Sequence, residues 1–190
     1  MSDDPDSTDL TIEVSVLDPA WLDGLAEAEE VARRAAAAAL RTSCALAGVG
    51  RPVEVSIVLA DDMRVRALNK DHCGFDKATN VLSFGQGCAP GAAAWTKSQA
   101  AVLPPAPLLL GDVVLARSVV RREAAEQGKT LADHLSHLVV HGVLHLLGFD
   151  HEQNDEAEEM EGLEVACLAA LGIADPYRGA GAQSPLPAGR

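Results

Sequence analysis

Two histidines four residues apart, His141 and His145, are followed by Gly148 and then by a third histidine, His151. On a helix, residues four apart share one face. Glycine takes the left-handed conformation that ends a helix and turns the chain back. The spacing therefore returns His151 towards the other two imidazoles. Three imidazoles on one point bind a divalent metal, most readily zinc, and leave a fourth position open. Zinc lowers the pKa of water in such a position towards 7, which makes a nucleophile near neutral pH.

The helix that must carry this pair holds two more histidines. His134, His137, His141 and His145 fall within about 80° on a helical wheel. Such a stripe can also be a polar face on a cleft, or a set of core histidines bonded to carbonyls. The spacing HxxxHxxGxxH, with its helix-breaking glycine, favours the metal. His141 and His145 are nearest the turn. His137, one turn below, is a candidate for substrate contact or for support of a ligand. His134 is expected at the surface.

The elements around that helix follow from periodicity. Residues 10–16 and 53–59 alternate apolar and polar, as half-buried strands do. An Ala-rich helix is expected over about residues 21–46. A short helix capped by Asp61 or Asp62 runs to Asn69. Residues 79–84 read as a third strand, and residues 108–115 as a fourth, interrupted at Gly111-Asp112. Residues 85–107 are rich in Gly, Ala and Pro and read as a long loop. Helices follow over about 116–127 and from Thr130 to residue 147. Asp133 is placed for a capping box in the second of these. The last helix covers 155–171. The pattern predicts an α/β (α+β) fold: one small mixed sheet of about four strands covered by helices, with the zinc site at the end of a central helix. One domain over residues 10–175 is expected, with tails at 1–9 and 177–190.

Composition narrows the setting. No apolar run approaches the roughly 20 residues needed to cross a bilayer. The acidic start, Met1-Ser2-Asp3-Asp4, lacks a signal-peptide core, so a cytoplasmic protein with no membrane partner is expected. Cys44, Cys73, Cys88 and Cys167 are scattered without a CxxC pair, which argues against a disulfide framework or a cysteine zinc knuckle. The net charge is −13, but it is uneven. Residues 51–130 hold eight acids and ten bases, between two acidic ends. Polyanion binding depends on the local field rather than on the total.

The same histidine spacing occurs in metzincin zinc proteases, HExxHxxGxxH, where the Glu is the general base. Here that position is Gly142. Acid–base help is worth about 10²–10⁴-fold, so the zinc geometry is present without the peptidase chemistry.

The run from His141 to His151, HGVLHLLGFDH, resembles the HGxLHLxGxDH signature of the bacterial YbeY family. The likeness is supported, in the family's order, by Leu68-Asn69, by Ala78-Thr79-Asn80-Val81-Leu82-Ser83-Phe84 and by Leu110-Gly111-Asp112-Val113-Val114, and it covers about residues 10–175. The resemblance implies a metal-dependent endoribonuclease specific for single-stranded RNA. It implies action in 3′-end maturation of small-subunit (16S) ribosomal RNA and in ribosome quality control, with ribosomal RNA and the small ribosomal subunit as partners. It also implies that His141, His145 and His151 are zinc ligands.

One departure bears on activity. Between Leu-Asn and the Thr-Asn-Val-Leu-Ser-Phe strand, the family usually has Tyr-Arg-Gly, whose arginine is catalytic or contacts RNA. This chain has His72-Cys73-Gly74. A thiol does not replace a guanidinium as a phosphate clamp, and His72, Lys70 or Lys77 would supply the positive charge. The catalytic residue is thus unassigned, with His137 and His72 as candidates.

Other residues keep two readings each. Thr79 and Ser83 either bond a phosphate or are structural. Asp112 either caps backbone or supports the site. Asp150 either orients an imidazole or caps the turn. Arg117, Arg121 and Arg122 read as a solvated face, or Arg117 and Arg121, four apart, as the lining of a groove; the acids of residues 152–164 read as a solvent face. Three functions compete: the zinc endoribonuclease, a metzincin-like hydrolase on a peptide or small substrate, and a non-catalytic ribosome-assembly factor with a structural zinc.

Overall fold

β-Branched residues at alternate positions build the first two strands, β1 (Leu10–Val16) and β2 (Val53–Ala60), which pair in parallel. The computed structural model describes residues 9–46, 49–85, 106–151 and 153–178. β3 (Val81–Gly85) and β4 (Leu108–Ala116) complete a mixed sheet in the order β1-β2-β4-β3, with β4 parallel to β2 and β3 antiparallel to β4. The expected fold class and the four strands are present. β3 starts two residues later than expected, because the Asn80 side chain accepts a hydrogen bond from Val81 N (2.7 Å) where the ladder begins.

β4 is continuous where an interruption was expected. Glu54 pairs with Leu109 but Val55 pairs with Gly111, so Leu110 is an extra residue. This bulge keeps Leu108 and Leu110 on the inner face before it and Val113 and Leu115 on that face after it.

The helix expected over residues 21–46 is two helices, α1 (Ala20–Gly24) and α2 (Ala28–Thr42). The chain becomes extended at Leu25 (φ −154°), which leaves Trp21 free to donate from Nε1 to the Ala60 carbonyl (3.0 Å) while α2 lays its alanines on the core. α3 (Asp62–Cys73) is capped by Asp61, which accepts from Arg64 N. Then come α4 (Arg117–Glu126), α5 (Leu131–Leu146) and α6 (Asn154–Ala170). Thr130 caps α5 by accepting from Asp133 N. Arg117 is not simply solvated: its Nε donates to Asp18 Oδ2 (2.6 Å) and ties α4 to the end of β1.

The sheet separates two apolar clusters. Residues of α2, α5 and α6 share one cluster with Val55, Ile57, Leu59, Val113 and Leu115. On the other face α3 packs over Ala60, Leu82, Val114 and Ala116, with Cys73 and Phe84 at its margin. The expected loop at 85–107 and the expected tails fall largely outside the described residues. Asp9 is described, and its carbonyl accepts from Val53 N. No helix among the described residues is long and apolar enough to cross a membrane.

Candidate metal centre

α5 is apolar on nearly every side and sits against the sheet, so its polar residues must find partners inside the protein. Its end is built from the local sequence. Gly148 has φ +90°. Gly148 N donates to His145 O (3.0 Å), and Phe149 N donates to Leu144 O (3.1 Å), the paired bonds of a Schellman turn. The turn then serves the site: its Phe149 carbonyl accepts from His145 Nδ1 (3.0 Å). Asp150 caps the turn, accepting from His151 N at 2.8 Å.

The structure brings His141, His145 and His151 together, with one ring nitrogen from each within 4.8 Å of the others. The partners decide the tautomers. A carbonyl and a carboxylate only accept, so Nδ1 of His145 and Nδ1 of His141 carry the protons. Both Nε2 atoms then present lone pairs, and they face each other at 3.1 Å. Two lone pairs at that distance repel unless a cation lies between them. Tetrahedral zinc with bonds of about 2.0–2.1 Å separates its ligand nitrogens by roughly 3.3 Å, so the pair fits zinc. His151 Nε2 is buried without a hydrogen-bond partner among the described residues, as a ligand atom would be. Burial, and then the neighbouring imidazoles, depress His145 to a pKa of about 4, which leaves it neutral and able to ligate near pH 7.

The remaining candidates are distributed differently. His137 is buried and donates from Nε2 to Glu164 Oε2 (2.7 Å), so it holds a carboxylate rather than facing the open side of the centre. His134 is buried, not at the surface: it is 1% exposed. Its Nε2 lies 3.2 Å from Glu123 Oε2, and Asn80 Nδ2 donates to the same oxygen (3.0 Å). His72 is exposed, its ring 5.0 Å from that of Phe84. Strand alternation puts Phe84 and Ser83 on opposite faces, and Ser83 faces α5, donating to the Gly142 carbonyl (3.1 Å). His72 thus packs on the sheet face away from the histidine helix. Lys70 is tied to Asp76 (3.0 Å), as is Arg66 (2.7 Å). Thr79 donates to Asn80 Oδ1 (3.3 Å).

Two residues at the centre escaped the sequence reading. Glu164 belongs to the acids expected on a solvent face, yet it is 1% exposed. Its Oε1 accepts from His141 Nδ1 (2.7 Å) and its Oε2 from His137, with Tyr177 OH as a further donor. Burial pushes its carboxyl up, but the hydrogen bonds from the two histidines outweigh that and hold it well below the usual range. Tyr177, expected in a flexible tail, lines a small cavity with His141, His151 and Glu164. A signal existed for Glu164. It lies in the stripe Met160, Glu164, Cys167, Leu168 that α6 buries, and an acid in such a stripe needs partners.

Gly142 occupies the position of the metzincin base. A Cβ there would lie 2.5 Å from Val113 Cγ1 and 3.0 Å from Ser83 Oγ. That position faces the sheet, which leaves no room for a glutamate.

The family model for "Endoribonuclease YbeY" matches residues 24–172. The "Endoribonuclease YbeY" of Paramagnetospirillum magneticum is 54% identical over 168 residues, 88% of this chain and 96% of that protein. The protein of the same name from Novosphingobium aromaticivorans is 49% identical over 162 residues, 85% of this chain and 92% of that protein. By this likeness over most of its length, the chain belongs to the YbeY endoribonuclease family.

Proposed function

We propose that this protein is a zinc-dependent endoribonuclease specific for single-stranded RNA. Its task is 3′-end maturation of small-subunit (16S) ribosomal RNA and ribosome quality control in the cytoplasm. One domain over residues 10–175 carries the activity, and His141, His145 and His151 hold the metal. The observation that carries the reading is the pair of lone-pair nitrogens, His141 Nε2 and His145 Nε2, facing each other at 3.1 Å beside His151 in a YbeY-family chain.

Zinc held there supplies Lewis acidity towards a phosphodiester oxygen or a water molecule. The protein's own residues do the rest. Neutral His145 keeps its lone pair for the metal because the Phe149 carbonyl takes its Nδ1 proton. His141 is held in the same tautomer by Glu164. His151 is brought in by the turn at Gly148. The peptidase alternative lacks a base, because the sheet fills the space beside Gly142.

The test gives purified protein a single-stranded RNA, a duplex RNA and casein, each with and without chelator. Cleavage of the single strand alone, lost on chelation and restored by zinc, is expected. Casein cleavage supports the peptidase instead, and zinc binding without cleavage of any substrate supports an assembly factor. A 2′,3′-cyclic phosphate on the product identifies the 2′-OH as nucleophile, and its absence identifies water.

A further inference from the structure

Behind the three imidazoles lies a relay of hydrogen bonds that runs from the buried His137, His141 and Glu164 to the exposed Tyr177, past the end of the family match. Glu164 on α6 takes His141 Nδ1 on one oxygen, and His137 Nε2 and Tyr177 OH on the other. Tyr177 lies beyond residue 172, where the family match ends. The chain after α6 is turned into place by Asp175, whose Oδ1 accepts from Tyr177 N (2.9 Å). The phenol ring stands edge-on to His137 at 5.8 Å.

We propose that Glu164 and Tyr177 are positioning residues of the metal centre: the carboxylate keeps the His141 proton on Nδ1 so that Nε2 stays open to the metal, and the Tyr177 hydroxyl and His137 hold the carboxylate in place. The inference rests on the metal reading above.

The alternative tautomer shows what the relay prevents. With its proton on Nε2, His141 would donate to His145 Nε2, which is only 3.1 Å away. The two ligands would then close on each other, with a proton where the metal belongs. Glu164 removes that option, because only Nδ1–H can satisfy a buried carboxylate at 2.7 Å. A partner on the outer nitrogen of a ligating histidine sets its tautomer, and its loss typically lowers metal affinity by about 10–100-fold.

The test uses the full chain as wild type, Glu164→Gln and Tyr177→Phe, with His145→Ala as reference. Zinc affinity is measured by chelator competition, the His141 tautomer by nitrogen NMR of the metal-free protein, and melting temperature on the same samples. E164Q is expected to bind zinc about 10–100-fold more weakly, and Y177F to bind it more weakly than wild type by a smaller factor. Metal-free wild type is expected to show His141 protonated on Nδ1, and E164Q a shift of that proton to Nε2. Y177F removes only a hydroxyl and covers the case in which E164Q does not fold. Wild-type affinity with an unchanged tautomer in both variants overturns the inference alone. Weaker binding with an unchanged tautomer and an equal loss of melting temperature also overturns it, since Glu164 would then only hold α6. A wild type that takes up no zinc, or H145A that keeps it, overturns the metal centre itself.

Discussion

Gly142 lies so close to Val113 that a single added methyl would stand 2.5 Å from Val113 Cγ1. Here α5 meets the sheet, and the closeness allows Ser83 to donate to the Gly142 carbonyl. Gly142→Ala adds helix propensity of up to about 1 kcal/mol but overpacks the contact, which costs about 1–3 kcal/mol. The expected net result is a lower denaturant midpoint. A midpoint at or above wild type would show that the helix and sheet have slack between them. Gly142→Glu is expected to gain no peptidase activity, because the new carboxylate has no space beside the imidazoles.

Gly148 is predicted to matter more to the metal than to the fold. A side chain in the left-handed region costs about 1–2 kcal/mol, and a β-branched one more. Gly148→Val therefore straightens or unravels the turn that presents the Phe149 carbonyl and His151. Zinc affinity should fall far more than the melting temperature of the metal-free protein. Both quantities are read on the same mutant, and unchanged affinity would mean that His151 reaches the site without this turn.

Cys73 stands where the resemblance of the preceding Leu68-Asn69 and the following strand leads to the expectation of an arginine. It ends α3 half-buried beside the apolar cluster that includes Leu82 and Val114. An arginine can lay its methylenes on such a surface and keep its head in water. Cys73→Arg is expected to raise affinity for a short single-stranded RNA about tenfold or more, from a charge-assisted phosphate bond of roughly 1.5–3 kcal/mol. Fluorescence anisotropy at fixed salt measures it. No gain would place the phosphate clamp on another residue.

The metal-free protein is predicted to lose stability as the pH falls from 6.5 towards 4. His145 titrates near 4 when folded, against an ordinary 6.5. Across that window the unfolded chain binds the extra proton, so stability rises with pH. Glu164 acts in the same direction lower down, since its folded pKa is depressed below 4.5 and the stability it gives above that value is lost in acid. Melting temperatures of chelated protein at pH 7, 6 and 5 are expected to fall in that order. His145→Gln is expected to flatten the upper part of the profile. A flat wild-type profile would contradict the burial of this imidazole.

The features legible in the sequence were those written within a few turns of chain. His141, His145, Gly148 and His151 lie within eleven residues, and their spacing alone implies a helix, a turn and a shared point. Strands β1 and β2 announced themselves by alternation. What stayed hidden depends on neighbours distant in the chain. Glu164 is 23 positions from His141, and nothing local distinguishes it from the solvated acids around it except its place in an apolar stripe. His134 looked like a surface residue because its partner, Glu123, comes from the preceding helix. The split between α1 and α2 follows from a tertiary contact, Trp21 to Ala60, although Gly24 was a local sign of it.

The extra residue in β4 acts as a parity switch. Before Leu110 the even-numbered residues point to the helices, and after Gly111 the odd-numbered ones do. The bulge absorbs that change with Gly111 at φ +135°; a strand forced into regular alternation through all nine residues would keep its hydrogen-bonding capacity but invert every side chain downstream. Val113 would leave the surface that receives Gly142, and Asp112 or Val114 would take its place. The seat of the histidine helix is thus set by a one-residue irregularity in β4, and Gly111, where an added Cβ would lie 2.1 Å from the Phe84 carbonyl oxygen, is the residue that lets the strand make it.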